Sequence, residues 1–125
     1  FGGAFWPYNK IFAAAINVDR SSILLKDSKV WNNANYGVHL QNSLSVIDNV
    51  QFSGHHTQPY GQNAAAVSIQ GGSPEIKNSV FKDNDNAILQ SSWTNPDDPS
   101  QIVEATPNLH DSDPSDPEKN TFITP

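Results

Sequence analysis

The sequence contains no cysteine and no methionine. The absence of cysteine excludes disulfide bonds, zinc–thiolate sites and thiol catalysis. Because methionine is missing even from position 1, we expect a processed product or a segment cut from a longer chain. The longest uninterrupted apolar run, Ile11–Ile16, has six residues, whereas a membrane-spanning helix needs about 20. No membrane span is therefore expected.

Charged residues are also scarce, at 16% of the 125-residue chain. Disordered tails are usually rich in charge, so this composition excludes such a tail for most of the chain. The net charge is −6, and only seven residues are lysine or arginine. Since so few basic side chains cannot neutralise a phosphate tract, nucleic acid is not expected as a partner. The hydrophobic share of 36% suffices for one domain with a modest core.

The chain carries an internal repeat. Its pattern is aliphatic, charged, Asp or Asn, small, any, Val or Phe, any, Asn, Asp or Gly, and finally Asn or His. The three copies are Leu25–Asn33, Ile47–His55 and Ile76–Asn84. The second copy begins 22 residues after the first, and the third begins 29 residues after the second. The additional residues fall in the polar stretch 54–63. An insertion confined to one place is typical of a loop that leaves a regular coil.

A second short element accompanies each repeat, and in it apolar residues alternate with polar or small ones. Its copies are Ile16–Val18, Gly37–Leu40, Ala66–Ile69 and Ala87–Gln90. Alternation with a period of two indicates β-strands, and no helical period is visible. Strands this short cannot bury a face alone, but stacking coil on coil buries one. The sequence therefore predicts an all-β solenoid of parallel strands, with equivalent residues about 4.8 Å apart.

The alignment of the repeats predicts which side chains stack on one another. Two columns should point into the core, one should form hydrogen-bonded turns, and one should alternate in charge on the solvent face. The core columns are Leu25, Ile47 and Ile76, and Val30, Phe52 and Phe81. The turn column is Asp27, Asn49 and Asn78, and the charged column is Lys26, Asp48 and Lys77.

The segments 25–40 and 76–88 resemble the parallel β-helix repeat of pectate-lyase-like proteins. The resemblance covers roughly residues 13–92 and implies a right-handed parallel β-helix of about three to four coils. That superfamily includes polysaccharide lyases, hydrolases, esterases and epimerases, as well as adhesins and phage spikes. The resemblance thus implies an extracellular or cell-surface protein, but it specifies the fold much better than the function.

The ends of the chain differ from the repeats. Residues 1–12 are rich in aromatic side chains and are interpreted as an aromatic cap or a preceding coil. Residues 13–92 form the coils, with the inserted loop at 54–63. Residues 93–119 are rich in proline and acidic side chains and are interpreted as an excursion or linker. Within them, we expect no regular secondary structure in residues 96–118. Residues 120–125 should return as one more strand.

One column of the repeat is a candidate binding site. Trp31 shares its position with Ser53 and Lys82 and follows the inward Val30. Because neighbouring strand residues face opposite sides, Trp31 should point outward. A groove floored by a small serine, between an indole and an ammonium group, would suit one or two units of an acidic glycan. Alternatively, Trp31 packs beneath the inserted loop.

The inserted loop contributes further polar candidates. They are His55, His56, Gln58 and Tyr60. These side chains either supply a general base or sugar contacts on the same side as Trp31, or they belong to an ordinary polar surface loop. Adjacent histidines on an extended segment point to opposite faces, which argues against a metal site there.

Candidate catalytic carboxylates are Asp83 and Asp85, which flank Asn84. Paired carboxylates hydrolyse glycosides at defined separations, but Asn–Asp turns also supply such pairs for structural reasons. No polygalacturonase-like Asp-Asp and Gly-His-Gly set is present. A lyase needs a basic residue and a charge-neutralising cation, yet Arg20 is the single arginine and the lysines resemble column members. No complete catalytic set can be assembled.

The acidic segment 111–118 offers calcium candidates in Asp111, Asp113 and Asp116. Oxygen ligands alternate there as in a calcium loop, but glycine is missing from the sixth position and glutamate from the twelfth. We therefore expect no cofactor, with a solvated acidic linker favoured over a Ca²⁺ site.

These features predict a β-helix module with a structural or polysaccharide-binding role. Its partners would be a polysaccharide or cell-surface glycan and neighbouring coils of the same solenoid. One alternative is a fragment of a polysaccharide lyase, hydrolase or epimerase. A second alternative is a self-associating adhesin or fibre stalk, built by stacking open coil ends.

Overall fold

A computed structural model of the chain describes residues 14–57 and 63–123. Within these residues the regular elements are eleven β-strands. They are β1 (Ala14–Asp19), β2 (Leu24–Trp31), β3 (Tyr36–Gln41), β4 (Val46–Ser53), β5 (Ala65–Gln70), β6 (Glu75–Lys77), β7 (Val80–Lys82), β8 (Ile88–Ser91), β9 (Trp93–Asn95), β10 (Asp98–Val103) and β11 (Thr121–Ile123). The described part of the chain contains no helix long and apolar enough to cross a membrane. The predicted aromatic cap at 1–12 lies outside the described residues.

The strands form two parallel sheets between which the chain alternates. The first sheet has the order β1-β3-β5-β8. The second has the order β2-β4-β7-β11, with β6 also paired to β4. Each passage of the chain adds one strand to the first sheet and then a strand, or a pair of short strands, to the second. Strands that are adjacent in space are thus separated in sequence by a whole repeat, and the predicted solenoid of parallel strands is confirmed.

The predicted core columns are present in the second sheet. Leu25 pairs with Ile47, and Ile47 with Ile76; all three are buried. The phenylalanine column extends further than predicted. Val30, Phe52, Phe81 and Phe122 occupy consecutive strands in register. The phenylalanine rings stack nearly parallel at centroid separations of 4.9 and 5.0 Å, which lie within the range that aromatic pairs favour.

The first sheet closes the core from the other side. Ile16, Val38, Val67 and Ile88 form one column across β1, β3, β5 and β8. The neighbouring column includes Leu40, which is fully buried and packs in the same cluster as the phenylalanines. Alternation of buried and more exposed side chains is clear in β2 and β4, whereas nearly all residues of β3 and β5 are buried. Burying these apolar surfaces is the main stabilising term, at about 25 cal/mol for each Å² removed from water.

The corners of each coil are made by residues with a positive φ angle. The three columns are Arg20, Asn42 and Gly71; Asp27, Asn49 and Asn78; and Asn32, Gly54 and Asp83. Asn and Asp tolerate this left-handed conformation better than other side chains, which explains why they recur every coil. Gly54 has an additional reason, because a Cβ atom there would lie 2.2 Å from the side-chain oxygen of Asn32.

The turn column (Asp27, Asn49 and Asn78) and the charged column (Lys26, Asp48 and Lys77) are only partly as predicted. Asn49 donates a hydrogen bond to Asp27 (2.8 Å), as expected of a turn ladder. Asn78 instead donates to Asp48 (2.9 Å). Asp48 belongs to the neighbouring charged column, so the ladder does not continue between equivalent residues of the turn column. In that column Lys77 pairs with Glu118 at 3.1 Å. The excursion that carries Glu118 thus supplies the counter-charge for the lysine.

The expectation that residues 96–118 have no regular secondary structure is wrong. Strands β9 and β10 form an antiparallel hairpin, in which Ile102 pairs with Thr94 and Val103 with Trp93. The buried Trp93 anchors this hairpin to the solenoid. The chain then runs beside the coil through the parallel bridges Gly72–Ala105 and Glu75–Asn108, and returns in β11, which pairs with β7.

Candidate functional site

The candidate site lies on the outer face of the second sheet. Val30 and Phe52 point into the core, so the residues on either side of each must point out. Lys29 stands opposite Gln51 across the β2–β4 pair, and Trp31 stands opposite Ser53. The parallel pairing thus places two outward columns side by side. These columns face outward because side chains alternate along each strand, and the same alternation directs Val30 and Phe52 into the core.

The four side chains enclose an open groove of about 390 Å³, lined by Lys29, Trp31, Gln51 and Ser53. Trp31 is 45% exposed, which confirms the prediction that it points outward. Lys82 occupies the next strand in the same column as Trp31 and Ser53, also as predicted. The groove therefore offers an indole, an amide, a hydroxyl and an ammonium group on one rigid surface.

Lys29 and Gln51 were missing from the residues that the sequence analysis proposed for this site. The signal that identifies them is the same alternation that placed Trp31. Residues two positions before Trp31 and Ser53 must share their face of the sheet, and these residues are Lys29 and Gln51.

A polar column lies beyond the corner formed by Asn32, Gly54 and Asp83. It consists of the buried Asn33 and His55 and the half-buried Asn84. The amide of Asn33 donates to Nε2 of His55 (3.1 Å), and Nδ1 of His55 donates to the side-chain oxygen of Asn84 (2.6 Å). These bonds fix the ring in one neutral tautomer. Burial lowers the pKa of His55, and the hydrogen bond to Asn84 only partly opposes it.

His55 is fully buried. Its ring is therefore part of the coil interior and is not placed to contact a ligand on the outer surface. The adjacent histidines do face opposite ways, as the sequence analysis expected, because His56 lies on the surface.

His56 contacts both candidate catalytic carboxylates. Its Nδ1 lies 2.8 Å from Asp85 and its Nε2 lies 3.4 Å from Asp83. The hydrogen bond to Asp85, followed by that to Asp83, raises the pKa of His56. The backbone N–H of Thr57, followed by His56, lowers the pKa of Asp85. A glycosidase acid needs a carboxyl group whose pKa is raised, so the environment of Asp85 opposes that role.

The sequence model of one protein family, described as a right-handed beta helix region, matches residues 14–97. The chain belongs to the right-handed β-helix family. The match covers the first sheet, the second sheet except β11, and all the groove residues, and the family description specifies a right-handed coil. No curated protein and no solved structure matches the chain. Membership in a fold family does not by itself specify what a β-helix binds.

The remaining candidates of the β-helix lie elsewhere. Gln58 and Tyr60 fall outside the described residues. Of the calcium candidates, Asp113 accepts hydrogen bonds from the backbone and the hydroxyl of Ser115, Asp116 contacts His110, and Asp111 is exposed. Asp113 therefore stabilises a local turn, whereas Asp116 joins the excursion to a histidine that the sequence analysis did not single out.

Proposed function

We propose that this β-helix is an extracellular polysaccharide-binding module, and that the groove beside Trp31 holds one or two sugar units. The observation that carries the proposal is the indole of Trp31, which stands 45% exposed at a groove otherwise lined by hydrogen-bonding side chains. An exposed indole on a rigid sheet presents a flat apolar surface whose contact with water is unfavourable, and a ligand with one apolar face removes that surface from water.

A sugar ring has the matching chemistry. Its C–H groups form an apolar face that packs on an aromatic ring, and its hydroxyls require donors and acceptors at the rim. Gln51 offers both a donor and an acceptor, and so does the hydroxyl of Ser53. Both residues lie on β4 with their side chains on the same face as Trp31. Specific small-molecule sites generally combine apolar walls with a few fixed polar groups.

The charge of the groove favours an acidic glycan. Lys29 lies at the groove itself, and Lys82 stands one strand beyond Ser53 in the column of Trp31. The chain carries a net charge of −6, so a local pair of lysines on this face is distinct from the surrounding surface. Binding should be weak, on the order of millimolar to micromolar, because an open groove excludes little water.

The test is calorimetric titration of the protein with acidic and neutral oligosaccharides of matched length. We expect heat of binding for the acidic series, a weaker response for the neutral one, and affinity that falls with added salt. Trp31→Ala should abolish binding. Leu44→Ala is the matched control, because Leu44 is also strongly exposed (67%) but does not line the groove.

Three outcomes would overturn the proposal. Absence of any glycan-dependent heat in the native chain would favour a structural stalk, since a stalk needs no ligand on this face. Steady release of reducing or unsaturated ends during the titration would replace a binding module with an enzyme. A loss of binding in Leu44→Ala equal to that in Trp31→Ala would show that the ligand sits elsewhere.

A further inference from the structure

The excursion after β10 places a histidine between two carboxylates. Nε2 of His110 lies 2.7 Å from Glu75 on β6, and Nδ1 lies 2.8 Å from Asp116. The His110 side chain is only 9% exposed. Because Glu75 and Asp116 hold opposite ring nitrogens, the orientation of the imidazole is fixed. Glu75 belongs to the solenoid and Asp116 to the excursion, so the ring joins the two.

A third carboxylate completes the cluster. His110, Asp116 and Glu118 can each direct one ligand atom to a common point, with these atoms within 4.8 Å of one another. The backbone holds this arrangement. The N–H of Glu118 donates to the carboxylate of Asp116 (2.8 Å), and the N–H of Asn78 donates to the carbonyl oxygen of Glu118 (2.9 Å). On the other side of the cluster, the N–H of Ile76 donates to the carbonyl oxygen of Asn108 (3.0 Å), so the segment is attached to the coil on both sides.

We propose that His110, Asp116 and Glu118 bind a divalent transition-metal ion, with Zn²⁺ the preferred occupant. One imidazole nitrogen and two carboxylate oxygens are ligands that Zn²⁺ takes in tetrahedral sites, with water in the fourth position. Calcium and magnesium favour sites made of oxygen alone. Asp116 faces Nδ1, so Nδ1 is the ligating nitrogen.

Glu75 gives this cluster the second feature of a metal site. A metal-binding histidine usually donates its other ring N–H to a carboxylate, which fixes the tautomer and strengthens the metal bond. Glu75 is in that position at Nε2. It therefore acts as a positioning residue that keeps Nδ1 directed towards Asp116 and Glu118.

An ion pair at the edge of the cluster is compatible with a metal ion. Lys77 pairs with Glu118 at 3.1 Å, and a divalent ion competes with this ammonium group for the carboxylate.

The surface cluster at His56 provides an internal comparison. His56 also lies between two carboxylates, Asp83 and Asp85, which hold opposite ring nitrogens, as Glu75 and Asp116 do at His110. Its side chain is 44% exposed, and either nitrogen would bring only one of these carboxylates to a metal. The His110 cluster differs by its third carboxylate and by its burial. His56 is therefore the matched control for the experiment.

The experiment is titration of the metal-free full chain with Zn²⁺, followed by calorimetry and by thermal unfolding. We expect one Zn²⁺ per chain and a raised melting temperature, with no saturable binding of Ca²⁺ or Mg²⁺ at the same concentrations. Glu118→Gln should weaken zinc binding strongly. Because Glu118 is half-exposed, this variant should remain folded even where His110→Gln does not.

Glu75→Gln separates positioning from ligation, since it should retain one zinc site with an affinity about 10- to 100-fold lower. His56→Gln should bind zinc as the native chain does. The proposal is overturned by unchanged binding in Glu118→Gln, by loss of the site in His56→Gln, or by absence of saturable binding in the native chain. Equal binding of Ca²⁺ would also contradict it, because that result points to an all-oxygen site.

Discussion

Truncation of Phe81 tests the core columns most directly. Phe81 is 2% exposed and is stacked between Phe52 and Phe122, with ring planes inclined by 11° and 12°. Phe81→Ala removes a buried ring and leaves a cavity, which costs about 3–5 kcal/mol in typical cores. Two stacking contacts disappear together, and each is worth about 0.5–1.5 kcal/mol beyond burial. We therefore expect Phe81→Ala to lower the free energy of unfolding by an amount in the upper part of the range of about 3–5 kcal/mol.

Phe122 provides a graded comparison within the same column. It is 49% exposed and stacks on one described neighbour, so Phe122→Ala should cost about 1–2 kcal/mol. Lys29→Ala, which changes an outward side chain of β2, should cost less than about 0.5 kcal/mol. The expected order of destabilisation is Phe81, then Phe122, then Lys29.

Urea denaturation followed by circular dichroism measures these differences. Small domains lose about 1–3 kcal/mol of unfolding free energy per molar urea, so a loss of about 4 kcal/mol moves the midpoint by more than 1 M. The slopes of the transitions should agree between variants. Equal losses for Lys29→Ala and Phe81→Ala would refute the register, and a larger loss for Phe122→Ala than for Phe81→Ala would refute the stacking argument.

Three further predictions follow from buried or constrained groups. Burial lowers the pKa of His39 to about 4. Between this pH and 6.5, the ordinary pKa of histidine, the unfolded chain binds more protons than the folded chain, so the free energy of unfolding rises with pH by about 3 kcal/mol in all. The urea midpoints measured at pH 4 and pH 7 should therefore differ less in His39→Gln than in the native chain. Gly54→Ala should cost at least about 1–3 kcal/mol, because φ is +73° and Asn32 lies in the way; a midpoint equal to that of the native chain would contradict this. Limited proteolysis should cut the exposed stretch 111–115 before β10, which is held by pairing with β9; equal rates at both places would oppose it.

The core columns could be predicted from the sequence because the repeat has a constant internal spacing. Leu25, Ile47 and Ile76 stand at equivalent positions in each copy, and parallel pairing needs only that equivalence to set the register. One corner, formed by Asp27, Asn49 and Asn78, could be predicted for a related reason. Asn and Asp recur where the backbone takes a positive φ angle, a conformation that most other side chains disfavour.

The hairpin of β9 and β10 and the His110 cluster could not be predicted in the same way. Trp93 and Val103 pair antiparallel in a segment that lies outside the repeat, so no alignment with another coil revealed them. His110 meets Glu75 across 35 residues, a separation that matches no period of the solenoid. His55 is an intermediate case. Its alignment with Asn33 and Asn84 was visible, but the repeat pattern did not show that this column faces inward.

The insertion at 54–63 has a consequence for how this protein can vary. The copy starting at Ile47 is followed by the next after 29 residues instead of 22, yet Ile47 pairs with Ile76 as Leu25 pairs with Ile47. The length of the loop is thus uncoupled from the geometry of the stack. Since closing a longer loop adds little free-energy cost, the part of the insertion that follows the buried His55 can exchange loops of different length and chemistry while the groove and the core stay as they are.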